Sequence, residues 1–184
     1  SDMWRLENQE DIAHPTFLYI HLEPSLETMD MGNNPTTLFS ESELARVREQ
    51  LSSLVVGSKV IMTSFKGGFA PIKEQPVNVV QLGYMDVDLL NFFEYEQMEL
   101  NNFMPAHKKN PLLRGWALHS IDTPHAEDED DYLVANFFES MNDMYKNSGV
   151  ATQLSKQEKA NYSNILKLRK MTKVEVLSLV MAVR

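Results

Sequence analysis

The chain contains no cysteine, which excludes disulfides, thiolate metal sites and a cysteine nucleophile. It also lacks any apolar run near the roughly 18–20 residues that a membrane-crossing helix needs, so no membrane partner is expected. No basic and then apolar leader opens it, and the expected location is intracellular, cytoplasmic or nuclear. Glycine is scarce, at 7 residues in 184. The adjoining pair Gly67-Gly68 is not followed by the Gly-Lys-Ser/Thr ending of a phosphate-cradling loop. Bases are scarce over most of the chain. Residues 1–150 carry 24 acids against 10 bases, a net of −14, whereas residues 151–184 carry 2 acids against 7 bases, a net of +5. Net charge speaks to partners and not to fold, and an acidic body repels phosphate, which sets nucleic acid low among the expected partners.

What is present is a normal globular composition, 43 % apolar and 23 % charged, long enough to bury most of its apolar surface. His14 to Leu22 reads as a first strand, closed by Pro24. Residues 24–38 read as a surface loop. Ser40 with Glu43 forms a capping box ahead of Leu44, Val47, Leu51 and Leu54, which predicts a helix ending near Gly57. Residues 59–65 and 77–85 predict two further strands, with Gly67 and Gly68 at a hairpin tip between them. Asp86 and Asp88 open a second helix with Leu89, Leu90, Phe93 and Leu100 on one face. Residues 112–121 predict a fourth strand. Leu133, Phe137, Phe138, Met141, Met144 and Tyr145 recur at helical spacing, predicting a third helix. In the basic end, Ser155 with Glu158 and Thr172 with Glu175 each have capping-box spacing, predicting two helices broken near Met171, with a Val-rich strand as the alternative for 174–183. Asn-Phe-Phe-Glu occurs at 91–94 and again at 136–139 and reads as core-facing helix both times.

Four groups of side chains are candidates for function. Glu127, Asp128, Glu129, Asp130 and Asp131 form an acidic run, and Lys167, Arg169, Lys170 and Lys173 a basic cluster; both are assigned as partner-binding surfaces. His119, Asp122 and His125 could offer two imidazoles and a carboxylate to acid–base chemistry or a metal. His14-Pro15-Thr16 resembles one half of the paired histidine-and-hydroxyl motif of two-histidine phosphoesterases, but His119-Ser120 lacks the matching spacing.

These residues point to an α+β fold, a four-stranded antiparallel sheet of ferredoxin-like βαββαβ order with helices on one face. Residues 1–150 form its acidic domain, and residues 151–184 a basic helical extension packed on it. The leading function is a non-enzymatic protein–protein interaction domain, a subunit or adaptor of a larger assembly, whose partner is another protein or a second copy. The alternatives are a hydrolase or phosphoesterase using His14, His119 and His125, and nucleic-acid binding through the basic C-terminal helices. No catalytic residue, metal or cofactor is assigned.

Overall fold

The computed structural model describes residues 2–8, 15–20, 40–55, 57, 59–70, 77–122, 130–150 and 155–182. The chain divides into two compact units, one of residues 20–60 with Ser1 and one of residues 2–19 with 61–184. In the first unit the described structure is mainly helix α1, Glu41–Leu54. Its start obeys the capping box: the Glu43 amide donates to Ser40 Oγ while the Ser40 amide donates to Glu43 Oε2 at 2.9 Å. Two orphan amides are satisfied by one pair of side chains.

The second unit is a curled antiparallel sheet. Its strands are β1 (Asp2–Leu6), β2 (Phe17–Ile20), β3 (Thr63–Phe69), β4 (Val79–Val87), β5 (Gly115–Ile121), β6 (Tyr132–Phe138) and β7 (Arg169–Ala182), in the order β2-β1-β7-β4-β6-β5-β3. The expected four-stranded ferredoxin-like sheet is therefore corrected: seven strands form one sheet, and the first and second of the expected four lie at its opposite edges. The 14-residue β7 pairs with β1 on one side and β4 on the other, so the basic end is not a helical extension. It contributes one helix and then a central strand.

Between β4 and β5 runs a continuous helical stretch: a 3-10 turn at Leu89–Asn91, α2 (Phe92–Met98), a π turn at Glu99–Phe103 and α3 (Met104–Lys108). Asp88 begins it, its Oδ1 accepting the Leu90 amide at 2.9 Å. Helices α4 (Met141–Val150) and α5 (Lys156–Leu168) follow β6. These helices cover one face of the sheet. Val79, Met85 and Val87 of β4, Trp116 and Leu118 of β5, and Tyr132, Val134 and Phe138 of β6 project there, packing with Tyr95, Met144 and Ile165. The period-2 alternation of a strand decides that membership. Trp116 and Tyr132 each bury roughly 150–250 Å², about 4–6 kcal/mol as an upper bound.

On the opposite face Val80, Leu82 and Tyr84 of β4 are also buried, with Ala135, Leu177 and Trp4. β4 is thus apolar on both sides, which is why its sequence reads as a nearly unbroken apolar run. Among the described residues no helix is long and apolar enough to cross a membrane.

Three sequence expectations fail for one reason. The helix expected over 133–145 is strand β6 to Phe138 and helix only from Met141, where Ser140 Oγ accepts the Asp143 amide at 3.2 Å. Residues 172–182 are strand, and Thr172 Oγ1 lies 3.3 Å from the Tyr84 carbonyl oxygen of the paired strand instead of capping a helix. Gly67 and Gly68 lie inside β3 and not at a hairpin tip. In each case pairing with a distant strand outweighs a pattern that is compatible with local structure of another kind.

Candidate functional site

Between the helices and the covered face of the sheet lies a cavity of about 250 Å³. Alternation on β4 directs Gln81, Gly83 and Met85 into it; β6 adds Val134 and Asn136, and β5 adds Trp116. β7 supplies Arg169, Met171 and Val174. Residues 171 and 174 would face opposite sides of a regular strand, but the register slips between Tyr84 and Met85, which pair with Lys173 and Met171. This bulge at Thr172 keeps both side chains on the cavity face.

The helices supply Glu99, Phe103, His107, Asn147 and Tyr162. On an unbroken α-helix, at about 100° per residue, His107 would be rotated roughly 80° from Glu99. The wider π turn at Glu99–Phe103 takes back part of that rotation, so residues 99, 103 and 107 all reach the cavity. Turns of this kind are frequent at functional sites.

The walls are ring-lined. His107 stacks on Trp116 with centroids 5.6 Å apart and planes at 27°, and Phe103 meets Tyr162 edge-on at 5.7 Å. Tyr162 and Met171 are 41 % and 50 % exposed, which places the mouth of the cavity beside them. Asn147 is held by Asn110, whose Nδ2 donates to Asn147 Oδ1 at 2.6 Å.

The electrostatic centre is a buried pair. Arg169 Nε stands 3.8 Å from Glu99 Oε1, with side chains 9 % and 4 % exposed. That distance is within ion-pair reach but beyond a hydrogen bond, and Arg169 Nε has no hydrogen-bond partner. The guanidinium Nη1 points instead at Met85 Sδ. Burial raises the Glu99 carboxyl above its ordinary range, opposed by the smaller effects of the Arg169 charge and the Tyr95 hydroxyl. Burial, and then the Arg169 charge, lower His107 to about 4, so its imidazole is neutral at pH 7. Trp116 Nε1 is buried and also lacks a hydrogen-bond partner. Buried donors without acceptors cost free energy, and here two of them border one cavity.

The residues singled out by sequence are mostly elsewhere. Of the acidic run, Glu127, Asp128 and Glu129, with His125, lie outside the described residues, as does His14. Asp130 accepts from the Thr172 hydroxyl, and Asp131 Oδ2 accepts the Val87 amide at 2.8 Å. Both carboxylates are engaged within the sheet. His119 lies on β5, its Nδ1 3.2 Å from Thr63 Oγ1; Asp122 accepts from Ser64 and Ser120. These contacts tie β3 to β5. Among the described residues no group of three or more His, Asp or Glu side chains is placed to hold a metal.

The basic cluster is dispersed. Lys167 donates to Asn164 at 3.3 Å, and Lys173 Nζ is 2.5 Å from Glu175 and lies over the Tyr84 ring. Lys170 is exposed and Arg169 is inside the cavity. Nucleic-acid binding through two basic helices loses its premise, because residues 169–173 are strand. Sequence reasoning missed Glu99, His107, Trp116 and Asn136. One signal was available: Glu99 interrupts an apolar stripe between Tyr95 and Phe103, four residues to either side.

No protein-family model and no curated protein matches the chain. Solved structures do. A candidate monooxygenase from Lactobacillus acidophilus NCFM superposes with a TM-score of 0.53 at 11 % identity over 80 % of this chain, which spans 66 % of that one, just under two thirds. An anthrone oxidase-like protein superposes with a TM-score of 0.60 at 10 % identity over 98 % of this chain and 77 % of that one. The non-enzymatic interaction or adaptor reading is corrected on this finding together with the cavity: the chain is similar in fold to two proteins that carry the names of oxidative enzymes.

Proposed function

We propose that this chain is an oxidase- or oxygenase-type enzyme acting on a small, flat aromatic molecule held in the cavity. The observation that carries the reading is the cavity itself: four aromatic or heteroaromatic rings enclose it, and the buried Glu99–Arg169 pair and the unpartnered Trp116 Nε1 converge on it. Rings and thioethers alternate in its walls with the polar side chains of Gln81, Glu99, His107, Asn136, Asn147 and Arg169, a lining suited to a small molecule that presents both ring faces and oxygen atoms. The names of the two structural neighbours supply the reaction class, and the fold they share with this chain places no residue roles.

The reaction that fits both names converts an activated ring methylene and dioxygen to a ring ketone and water, CH₂ + O₂ → C=O + H₂O. Such a step needs a group that accepts a proton and donors that hold the charge left behind. Glu99, made more basic by burial, suits the first role. Arg169 and Trp116 Nε1 suit the second.

The test is oxygen consumption by the purified chain with anthrone, read with an oxygen electrode beside the absorbance of the ketone product. Uptake above the rate in buffer alone, lowered at least about tenfold in a folded Trp116→Phe variant, is the expected result. Uptake equal to buffer with anthrone and with smaller phenolic ketones would overturn the proposal.

A further inference from the structure

We infer that the cavity recognises an acidic hydroxyl, a phenol or enol, whose proton passes to the Glu99 carboxylate while its oxygen takes up the Arg169 guanidinium. This deepens the proposed function and rests on its reading of the cavity as the substrate site.

The geometry that carries it is the looseness of the pair. A buried carboxylate and guanidinium with nothing between them ordinarily close to a two-bond fork at about 2.7–2.9 Å. Here they stand 3.8 Å apart, and Arg169 Nε has no acceptor. The guanidinium is drawn toward Met85 Sδ, a weak acceptor. Trp116 Nε1, at zero exposure, offers a second donor on the same cavity. An acceptor oxygen entering between these groups satisfies donors that the protein leaves unsatisfied.

The charge balance selects an acidic hydroxyl over a ligand that is already an anion. Above the Glu99 pKa that burial has raised, the pair holds one anion, Glu99, beside one cation, Arg169. A second anion entering a buried site would leave an uncompensated charge. A neutral phenol adds none. Its O–H bond breaks, the proton bonds to a Glu99 oxygen, and the electron pair stays on the ligand oxygen, so one anion still faces one cation. No oxidant or reductant is consumed.

The other titratable groups facing the pair do not compete for that proton. His107 on α3 is held neutral, and the Tyr95 phenol on α2 is pushed well above its ordinary range, by burial first and by the Glu99 charge second. On β7 the cation is Arg169 itself, which keeps its charge. Tyr162 lies at the mouth.

The probe is 4-nitrophenol, whose anion absorbs in the visible and whose neutral form does not. It is titrated anaerobically into the full chain at a pH below its solution pKa. The expected result is a visible phenolate band that grows with chain concentration and saturates. 4-Nitroanisole, the same ring without the proton, should bind at least about tenfold more weakly. A folded Glu99→Gln variant leaves Arg169 as the one buried charge, so it should still show the band but release the phenol proton to the buffer, whereas the wild-type chain keeps that proton on Glu99. A bound phenol that keeps its neutral spectrum, an anisole that binds as well, or no binding of either would overturn the inference. The wild-type chain alone supplies these readouts, so failure of the variant to fold leaves the test standing. Phenolate capture without oxygen uptake would leave this inference intact and sink the oxidase reading; oxygen uptake with a neutral bound phenol would do the reverse.

Discussion

Arg169 and Glu99 are 70 positions apart in the chain, and the fold brings Arg169 Nε and Glu99 Oε1 to 3.8 Å inside a cavity that hides both side chains almost completely. Their burial makes the two members of the pair unequal. A carboxylate that loses its partner can take a proton and become neutral, whereas a guanidinium cannot give one up.

Glu99→Gln therefore should cost about 3–5 kcal/mol, the usual penalty for leaving a buried charge unpaired. Arg169→Met should cost less near neutral pH. In that variant the Glu99 carboxyl rises further above its unfolded value, so the folded state holds the extra proton: stability is greatest below the unfolded pKa and falls as pH rises through the folded one. Urea unfolding of both variants from pH 5 to 8 measures this. Equal losses with no pH trend in Arg169→Met would show that burial does not set the balance.

His107 gives a pH dependence of opposite sign. Its folded pKa is lowered to about 4 by burial and then by Arg169, against an ordinary 6.5. The unfolded chain binds the proton first as pH falls, so this contribution is intact above about 6.5 and is lost between there and about 4. The full loss is on the order of 3 kcal/mol, at 1.36 kcal/mol per unit. Replacing His107 with Gln should flatten the decline of the unfolding midpoint between pH 6.5 and 4.5, whatever it does to the midpoint at pH 7, where loss of the stack on Trp116 acts alone.

Asn-Phe-Phe-Glu shows where sequence stops being sufficient. At 91–94 it starts a helix and leaves Phe93 75 % exposed; at 136–139 it ends strand β6, with Phe138 fully buried and Asn136 in the cavity wall. The same four residues take two structures because the partners differ: β6 lies between β4 and β5, while 91–94 follows the Asp88 cap. What could be read locally was read. The Ser40–Glu43 capping box, the strands near 17–20, 79–87 and 115–121, and the Ser155 start of α5 all rest on neighbours within a few residues. What required distant partners could not be read. β7 needs β1 and β4 on either side, and the pairing of Glu99 with Arg169 appears only once β7 lies beneath the helices. The basic cluster was visible as charge, but only the fold separates Arg169, inside, from Lys170, outside.

The two adjoining glycines of β3 should differ in tolerance. A Cβ on Gly68 would stand 2.3 Å from the Trp116 carbonyl oxygen, which is backbone in the paired strand β5. A Cβ on Gly67 would meet Leu100 Cδ2 at 2.5 Å, the far end of a side chain that can turn away. Gly68→Ala should thus lose about 1–3 kcal/mol by forcing β3 from β5, with Gly67→Ala well below it. Thermal unfolding with limited proteolysis of the β3 edge measures both. Equal losses would mean that β3 is not held this closely against Trp116.

Gly83 separates stability from binding. It lies within β4, and its absent side chain is part of the cavity; a Cβ there would stand 3.1 Å from Met85 Cε and 3.8 Å from Met171 Cε, both ends of flexible thioethers. Gly83→Ala asks those methyls to move by a few tenths of an ångström, and it also removes backbone freedom from the unfolded chain, worth about 0.4–1 kcal/mol in favour of folding. The two effects oppose, so the unfolding free energy should stay within about 1 kcal/mol of wild type. Binding has no such compensation, because the added methyl occupies ligand space and pushes Met85 toward Arg169. Affinity for 4-nitrophenol should fall at least about tenfold, the scale of one methyl's misfit in a binding pocket. Retained affinity with unchanged stability would place the ligand away from β4 and remove the cavity as the site.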